Sequence, residues 1–170
     1  MVLKYSLPAR FFHWATLLLI VAAWICVEFK GAIGPGLGMT LHKSFGVTLF
    51  CLVVIRLVYR LFDSPPPLNI DMPAWQKTGA HLVHWVLYGL ILTQPLAGFV
   101  MTQVAGYPLS FFGLFEIPVF ISGSSQLGQT LSFLHEEVIW NVLLGLVILH
   151  VGFALRHQLI KKDKLINRMW

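Results

Sequence analysis

The chain has 170 residues, of which 57% are hydrophobic and only 11% are charged. A soluble globular domain carries about 25% charged residues, so this composition excludes an ordinary soluble protein and predicts a surface that faces lipid. The formal net charge of +5 at pH 7 does not indicate a nucleic-acid-binding protein, because the placement of the basic residues has a membrane explanation, given below.

Four apolar runs follow one another along the chain, and each is long enough to cross a membrane. A hydrocarbon core of about 30 Å requires roughly 20 apolar residues per helix, and the runs cover residues 11–29, 41–62, 79–101 and 131–160. Helices are expected because an open strand cannot satisfy its backbone hydrogen bonds in lipid. We therefore predict an all-α membrane protein, a bundle of four transmembrane helices that forms a single domain over residues 1–170.

Three linkers separate the spans. Residues 31–38, GAIGPGLG, are predicted to form a Gly/Pro turn, and residues 63–76 are too rich in proline for a helix interior. Residues 106–129 are longer and contain an apolar patch, LSFFGLFEIPVF. We expect this patch to be a loop or a short surface helix.

The basic residues are unevenly divided between the two ends of the predicted bundle. Ten of the twelve lysines and arginines lie at the termini or around the second linker, whereas only Lys30 and Lys43 lie around the other two linkers. Cytoplasmic loops of membrane proteins carry the excess of positive charge. Both termini are therefore predicted to be cytoplasmic, which agrees with an even number of spans.

All seven histidines lie within or at the edge of a span, where an imidazole is costly unless its ring nitrogens are satisfied. The direction of each span divides them into an outer group, His42 with His135, and an inner group, His13 with His150, near which lie His81, His84 and His157. On the fourth span, His150 follows His135 by about 22 Å of helical rise and roughly 60° of rotation. These two side chains therefore share the helix face that should point into the bundle.

Paired imidazoles at two depths suit two non-covalent b haems, each with two axial histidines. Iron would satisfy one nitrogen of each ring, and a carbonyl or hydroxyl would accept from the other. Gly46, one turn after His42, would let the flat macrocycle approach the backbone. Lys43 and Arg10 are candidates for pairing with the haem propionates, the alternative being that both are ordinary interfacial residues that snorkel.

Four segments carry a resemblance to a known family: KYSLPARFFHW, LHKSFG, GAHLVHWVLY and, near the end, LHEEV with LHVGFALRHQLIKKDKLINRMW. In this order they resemble the prokaryotic cytochrome b561 family, di-haem four-helix proteins of the bacterial inner membrane. The resemblance covers nearly the whole chain. It implies that His13 and His150 bind the inner haem, that His42 and His135 bind the outer haem, and that electrons pass from superoxide to ubiquinone.

The last span departs from the family pattern. Family members usually have one residue fewer between its two ligand histidines, and an extra residue rotates one ligand by about 100°. A local distortion such as a π-bulge would absorb that rotation.

Four further residues are candidates for a quinone site at the inner end. His157 lies near the inner interface and is a candidate to protonate or hydrogen-bond a quinone, since imidazole titrates near neutral pH. His81 and His84 either replace an inner haem ligand, contact the quinone, or have a structural role. Trp14 is a candidate to line the pocket, with anchoring at the membrane interface as the alternative.

Three functions compete at this stage. The first is an oxidoreductase that carries electrons across the membrane between a periplasmic donor, with superoxide favoured, and the quinone pool; Lys30 and Lys43 would steer the anionic donor. The second is a haem anchor for a periplasmic dehydrogenase or hydrogenase-like partner, which would dock on residues 102–130. The third is a metal or proton pathway in a small transporter.

Overall fold

A computed structural model of the chain describes residues 3–67 and 72–170. Its helices, in chain order, are α1 (Leu7–Glu28), α2 (Lys30–Ile33), α3 (Pro35–Phe62), α4 (Ala74–Val104), α5 (Ser125–Phe133) and α6 (Trp140–Arg156). Segments of π-helix extend α6 at both ends, over Leu134–Ile139 and His157–Lys161, and a 3-10 turn covers Leu165–Arg168. Part of the predicted proline-rich linker, residues 68–71, lies outside the described residues.

Within the described ranges, four helical segments are long and apolar enough to cross a membrane, which confirms the predicted fold class. They are α1, α3, α4 and the continuous segment Ser125–Lys161, with mean hydropathies of 1.8, 2.0, 1.4 and 2.3. Large apolar side chains cover their outer surfaces; Leu61, for example, is 79% exposed. Such a surface suits lipid rather than water.

The first helix shows why these runs form helices where they do. The hydroxyl of Ser6 accepts a hydrogen bond from the backbone N–H of Ala9 (3.4 Å), and Pro8 occupies the first turn. A serine cap and a proline in the first turn both favour the start of a helix at this point.

The predicted Gly/Pro turn over residues 31–38 is wrong in extent. Most of this segment is helical, and the break is confined to Gly34, which has φ of 103° between α2 and α3. Pro35 begins α3, where proline is tolerated because a first-turn N–H has no helical partner. Gly38 then lets α3 lie against α1, since a Cβ there would stand 2.8 Å from the carbonyl oxygen of Cys26.

The apolar patch between α4 and α5 is a β-hairpin and not the predicted loop or short surface helix. Strand β1 (Leu109–Phe111) pairs antiparallel with β2 (Phe115–Ile117), and the turn between them contains Phe112 and Gly113 at positive φ. The fully buried Ser44 of α3 holds the hairpin. Its hydroxyl accepts from the backbone N–H of Phe112 (2.8 Å) and lies 3.2 Å from the carbonyl oxygen of Ser110.

The two ends of the bundle can be named from their contacts. The backbone N–H of Tyr5 donates to the carbonyl of Arg168 (3.0 Å), so both termini lie at one end, called here the terminal end. The β-hairpin lies at the opposite end, called the hairpin end. A buried core separates the two ends and consists of Leu49, Val53, Leu87, Ile91 and Leu143.

A candidate cofactor site of paired histidines

At the hairpin end, His42 of α3 and His135 of the first π-helix face each other. Their ring centroids are 6.0 Å apart, with the ring planes at 80°. Two imidazoles that bind one metal ion from opposite sides, each through a bond of about 2 Å, have centroids about 6 Å apart. The spacing of this hairpin pair therefore fits a shared metal centre.

Hydrogen bonds to neighbouring helices fix both rings of the hairpin pair. Nδ1 of His42 lies 2.9 Å from the carbonyl oxygen of Ala23, and Nδ1 of His135 lies 2.8 Å from that of Gln94. A carbonyl only accepts, so both Nδ1 atoms carry protons and both Nε2 atoms have a free lone pair. Metal-bound histidines are typically oriented by this kind of contact.

Two residues of α4 that the sequence reasoning missed shape the position of His135. The side-chain amide of Gln94 donates from Nε2 to the carbonyl oxygen of His135 (2.9 Å), so the two residues are joined in both directions. Gly98 lies directly beside the ring, because a Cβ there would be 2.8 Å from Cε1 of His135. Gln94 could have been found from the sequence, because a polar glutamine inside an apolar span is a signal of a functional or structural contact. Gly98 could not, because its contact depends on packing between spans.

At the terminal end, His13 of α1 and His150 of α6 form the second pair. Their ring centroids are 6.3 Å apart, with the planes at 57°. This spacing also fits two ligands of one metal ion. Nδ1 of His13, however, lies 3.3 Å from Nη2 of Arg56 and not beside a carbonyl, so this terminal pair is surrounded differently from the hairpin pair.

His84 lies close to the terminal pair, whereas His81 does not join it. The ring centroid of His84 is 5.2 Å from that of His150, nearer than two ligands across one metal ion would be. Nδ1 of His84 donates to the carbonyl of Ala80 (2.5 Å). His81 is exposed.

The predicted quinone-site residues His157 and Trp14 both lie at the terminal end. His157 is 1% exposed; its Nδ1 is bonded to the carboxylate of Asp163. Its Nε2 is buried with no hydrogen-bond partner among the described residues. Trp14 packs edge-on against His13 (5.4 Å between centroids) and donates from Nε1 to the carbonyl of Met169 (2.8 Å).

The remaining predicted site residues are placed as follows. A Cβ on Gly46 would meet nothing within 4 Å, which leaves room beside His42. Nε of Arg10 is buried with no hydrogen-bond partner in the part of the chain that the structure describes. Lys43 is half-buried and Lys30 is exposed.

The donor set fits an iron porphyrin better than a small ion held by side chains alone. Each pair offers two neutral imidazoles and no carboxylate or thiolate, which is the axial ligand set of a b-type haem. The open space at Gly46 and the orphaned Nε of Arg10 suit a flat macrocycle with acidic substituents. An apolar four-helix bundle with such pairs defines a membrane-embedded, cofactor-binding protein.

Comparison with known proteins identifies the family. A family profile described as prokaryotic cytochrome b561 matches residues 4–170, and the chain belongs to this family. It is 30% identical over 172 residues to cytochrome b561 homolog 1 of Escherichia coli (strain K12), covering 98% of this chain and 96% of that protein. It is 28% identical to cytochrome b561 homolog 2 of the same organism, covering 98% and 90%.

A third relative carries a functional name. "Probable superoxide oxidase CybB" of Yersinia pestis is 30% identical over 171 residues, covering 98% of this chain and 95% of that protein. Family membership makes this chain a multi-pass, haem b-binding protein of membrane electron transfer. The resemblance inferred from the sequence motifs is thereby confirmed.

Proposed function

We propose that the protein holds two b haems, one between His42 and His135 and one between His13 and His150, and carries electrons from one end of the bundle to the other. The observation that carries the proposal is the spacing of 6.0 and 6.3 Å between paired ring centroids at the two ends. When bound, each haem supplies a one-electron carrier. The chain supplies axial imidazoles and an apolar core between the two pairs.

The terminal end is cytoplasmic and the hairpin end is periplasmic in this proposal. The support is the concentration of ten of twelve basic residues at the termini and the second linker. The protein would be a multi-pass protein of the bacterial inner membrane with both termini inside.

The electron donor at the hairpin end is superoxide in this proposal. Its support is the printed name of the relative from Yersinia pestis together with Lys30 and Lys43, two cations at the hairpin end of α2 and α3. Positive charge near a periplasmic opening would raise the local concentration of an anionic donor. Two superoxide anions would each lose one electron and leave as dioxygen.

The electron acceptor is ubiquinone, bound at the terminal end near His157 and Trp14. Reduction of one quinone to quinol takes two electrons and two protons, so it matches the oxidation of two superoxide anions. The buried Nε2 of His157 lacks a partner among the described residues, and Asp163 holds the other ring nitrogen. With the Nδ1–H directed at the carboxylate, the neutral ring accepts at Nε2 from a quinol hydroxyl, and the doubly protonated ring donates from Nε2 to a quinone carbonyl.

The proposed reaction is tested with purified protein, a superoxide-generating system and a short-chain ubiquinone. We expect quinol to form at a rate that falls when superoxide dismutase competes for the donor. His157→Ala should lower the rate at least about tenfold while the haem spectrum stays unchanged, and the exposed His81→Ala is the matched control. Haem-loaded protein that forms no quinol from superoxide would overturn the assignment of donor and acceptor.

A second candidate function is a haem anchor for a periplasmic dehydrogenase or hydrogenase-like protein. The observation in its favour is the apolar exposure of residues 102–130, where Leu114 is 77% exposed and Phe120 is 66% exposed. Stable co-purification of a redox protein that is lost in Leu114→Ser, together with no superoxide turnover, would favour this candidate.

A further inference from the structure

Arg56 is a cation inside a membrane-spanning helix, and the groups in contact with it among the described residues are neutral. It lies six residues before the end of α3 at Phe62, about 9 Å along the helix axis. Nη2 lies 3.3 Å from Nδ1 of His13, and Nη1 donates to the hydroxyl of Thr16 (3.4 Å). The guanidinium carbon also lies 5.1 Å from the centroid of the Tyr88 ring, within the range of a cation–π contact.

These contacts hold the guanidinium in a defined position between three helices. The hydroxyl of Thr16 gives its own proton to the carbonyl of Phe12 (2.6 Å), so its lone pairs face Arg56. Thr16 is 3% exposed. A cation in such a cage is costly to bury unless an anion accompanies it.

No carboxylate of the described residues lies within 4.0 Å of the Arg56 guanidinium. The ion pair found among the described residues joins His157 and Asp163 instead. The hairpin pair is different, because its ring nitrogens meet backbone carbonyls. Lys43 follows His42 in the sequence and Glu136 follows His135, and these two charges are of opposite sign. Among the residues described, a net positive charge therefore contacts the terminal pair and not the hairpin pair.

The contact between Arg56 and His13 also depends on the proton of the imidazole. Arginine has only donors, so Nδ1 of His13 accepts in this contact and the ring proton is at Nε2. A histidine that binds metal through Nε2 carries its proton at Nδ1, where it would face another donor. Binding of a metal through Nε2 of His13 would therefore remove this hydrogen bond from Arg56 and leave the guanidinium charge beside the site.

We propose that Arg56 is the positioning residue that sets the redox potential of the haem at the terminal pair above that of the haem at the hairpin pair. This inference rests on the proposed function, since it requires a haem at each pair. A fixed positive charge stabilises the iron when it gains an electron, and local charge is one of the means by which a protein sets a haem potential. Electrons then run downhill from the hairpin end to the terminal end.

The test is a redox titration of visible absorbance on the purified protein and three variants. Arg56→Gln removes the charge but keeps hydrogen-bonding atoms, and Arg56→Lys keeps the charge. Arg60→Gln is the matched control, because Arg60 lies one turn further along α3 and donates to the carbonyl of Asp63 (2.6 Å). Haem content per chain is measured on each variant first.

We expect two midpoint potentials in the unmodified protein, of which Arg56→Gln lowers the higher one and leaves the lower one in place. Arg56→Lys should restore most of the loss, and Arg60→Gln should change little. If Arg56→Gln loses one haem, the inference still predicts that Arg56→Lys keeps both haems and two midpoint potentials close to those of the unmodified protein.

Unchanged potentials in haem-loaded Arg56→Gln, or an equal fall in Arg60→Gln, would overturn the inference. Loss of haem from both Arg56 variants would also overturn it, because the residue would then be needed for folding rather than for its charge. The proposed function fails separately, when the unmodified protein binds fewer than two haems.

Discussion

At the scale of single residues, the orientation of a neutral imidazole depends on the atom that accepts the hydrogen bond from its one N–H group. His42 and His135 each donate from Nδ1 to the carbonyl of a neighbouring helix. The two rings stand 6.0 Å apart, and each keeps a free lone pair at Nε2. This arrangement lets neutral histidines stand in an apolar bundle and still present ligand atoms.

Gly98 gives the first prediction. A methyl group at this position would lie 2.8 Å from Cε1 of His135, so Gly98→Ala should displace the ring. We expect haem content to fall from about two to about one per chain, measured by reduced-minus-oxidised spectra against protein concentration. Gly89→Ala on the same helix is the control, since its Cβ would meet nothing within 4 Å; equal haem content in the two variants would contradict the prediction.

Single residues differ in how far they can be predicted from the sequence. The proximity of His13 to His150 and of His42 to His135 could be predicted, because imidazoles are rare in apolar spans and helical rise gives their depth. The roles of Gly98 and Arg56 were not, because each depends on which neighbouring span it faces. From the sequence alone, Arg56 is one of the basic residues that indicate sidedness.

At the scale of elements, the π-helix over Leu134–Ile139 compensates for the extra residue between His135 and His150 on the last span. It contains His135, and its extra residue per turn keeps His135 in phase with His150. The expected local distortion is confirmed. One carbonyl in this segment, that of His135, accepts from the side chain of Gln94.

Deletion of Glu137 gives the second prediction. The residue is exposed within the π-helix, and its removal should convert the segment to regular α-helix while preserving the relation of His135 to His150. We expect the variant to keep about two haems. Insertion of one alanine at the same point should lose one haem, because it adds about 100° of rotation; the opposite order of haem contents would contradict this account.

The hairpin could not be predicted from local pattern. Its apolar residues are equally compatible with a loop or a surface helix, because a strand of three residues is too short to show the alternation that identifies a strand. What selects the hairpin is the distant Ser44, which meets the turn from α3. The four long helices, by contrast, follow from run length and composition alone.

Ser44→Ala gives the third prediction. The substitution leaves the backbone N–H of Phe112 without its acceptor, and loss of such a hydrogen bond costs about 0.5–1.5 kcal/mol. We expect faster hydrogen exchange at Phe112 and faster proteolysis within residues 106–124. Thr48→Ala, which removes only a bond within α3 to the Ser44 carbonyl, should leave both rates unchanged; protection of the hairpin in Ser44→Ala would contradict its role.

At the scale of the whole molecule, the two termini close the terminal end together. Arg168 is 6% exposed and donates to the carbonyls of Leu3 (3.3 Å) and Pro66 (2.6 Å), which joins the C-terminus to the N-terminus and to the second linker. Trp14 packs against Trp170, with 5.2 Å between ring centroids and the ring planes tilted by 45°. The last residues therefore lie over the end of the bundle that holds His13.

Arg168→Ala gives the fourth prediction. Hydrogen bonds from a charged donor contribute about 1.5–3 kcal/mol each when buried, so the variant should unfold at least about 5 °C lower in detergent. Thermal denaturation followed by haem absorbance checks this. Lys161→Ala removes an exposed charge near the same end and should leave the transition in place; an unchanged transition in Arg168→Ala would show that the closure is not stabilising.

The proposed function requires that histidines from different helices bind one haem at each end of the bundle. The most direct measurement is haem per chain in single and double His→Ala variants. We expect His42→Ala, His135→Ala and the double variant to lose the same single haem, and His13→Ala, His150→Ala and their double variant to lose the other. Independent losses within a pair, or retention of both haems after removal of His13 but not of His84, would contradict the claim.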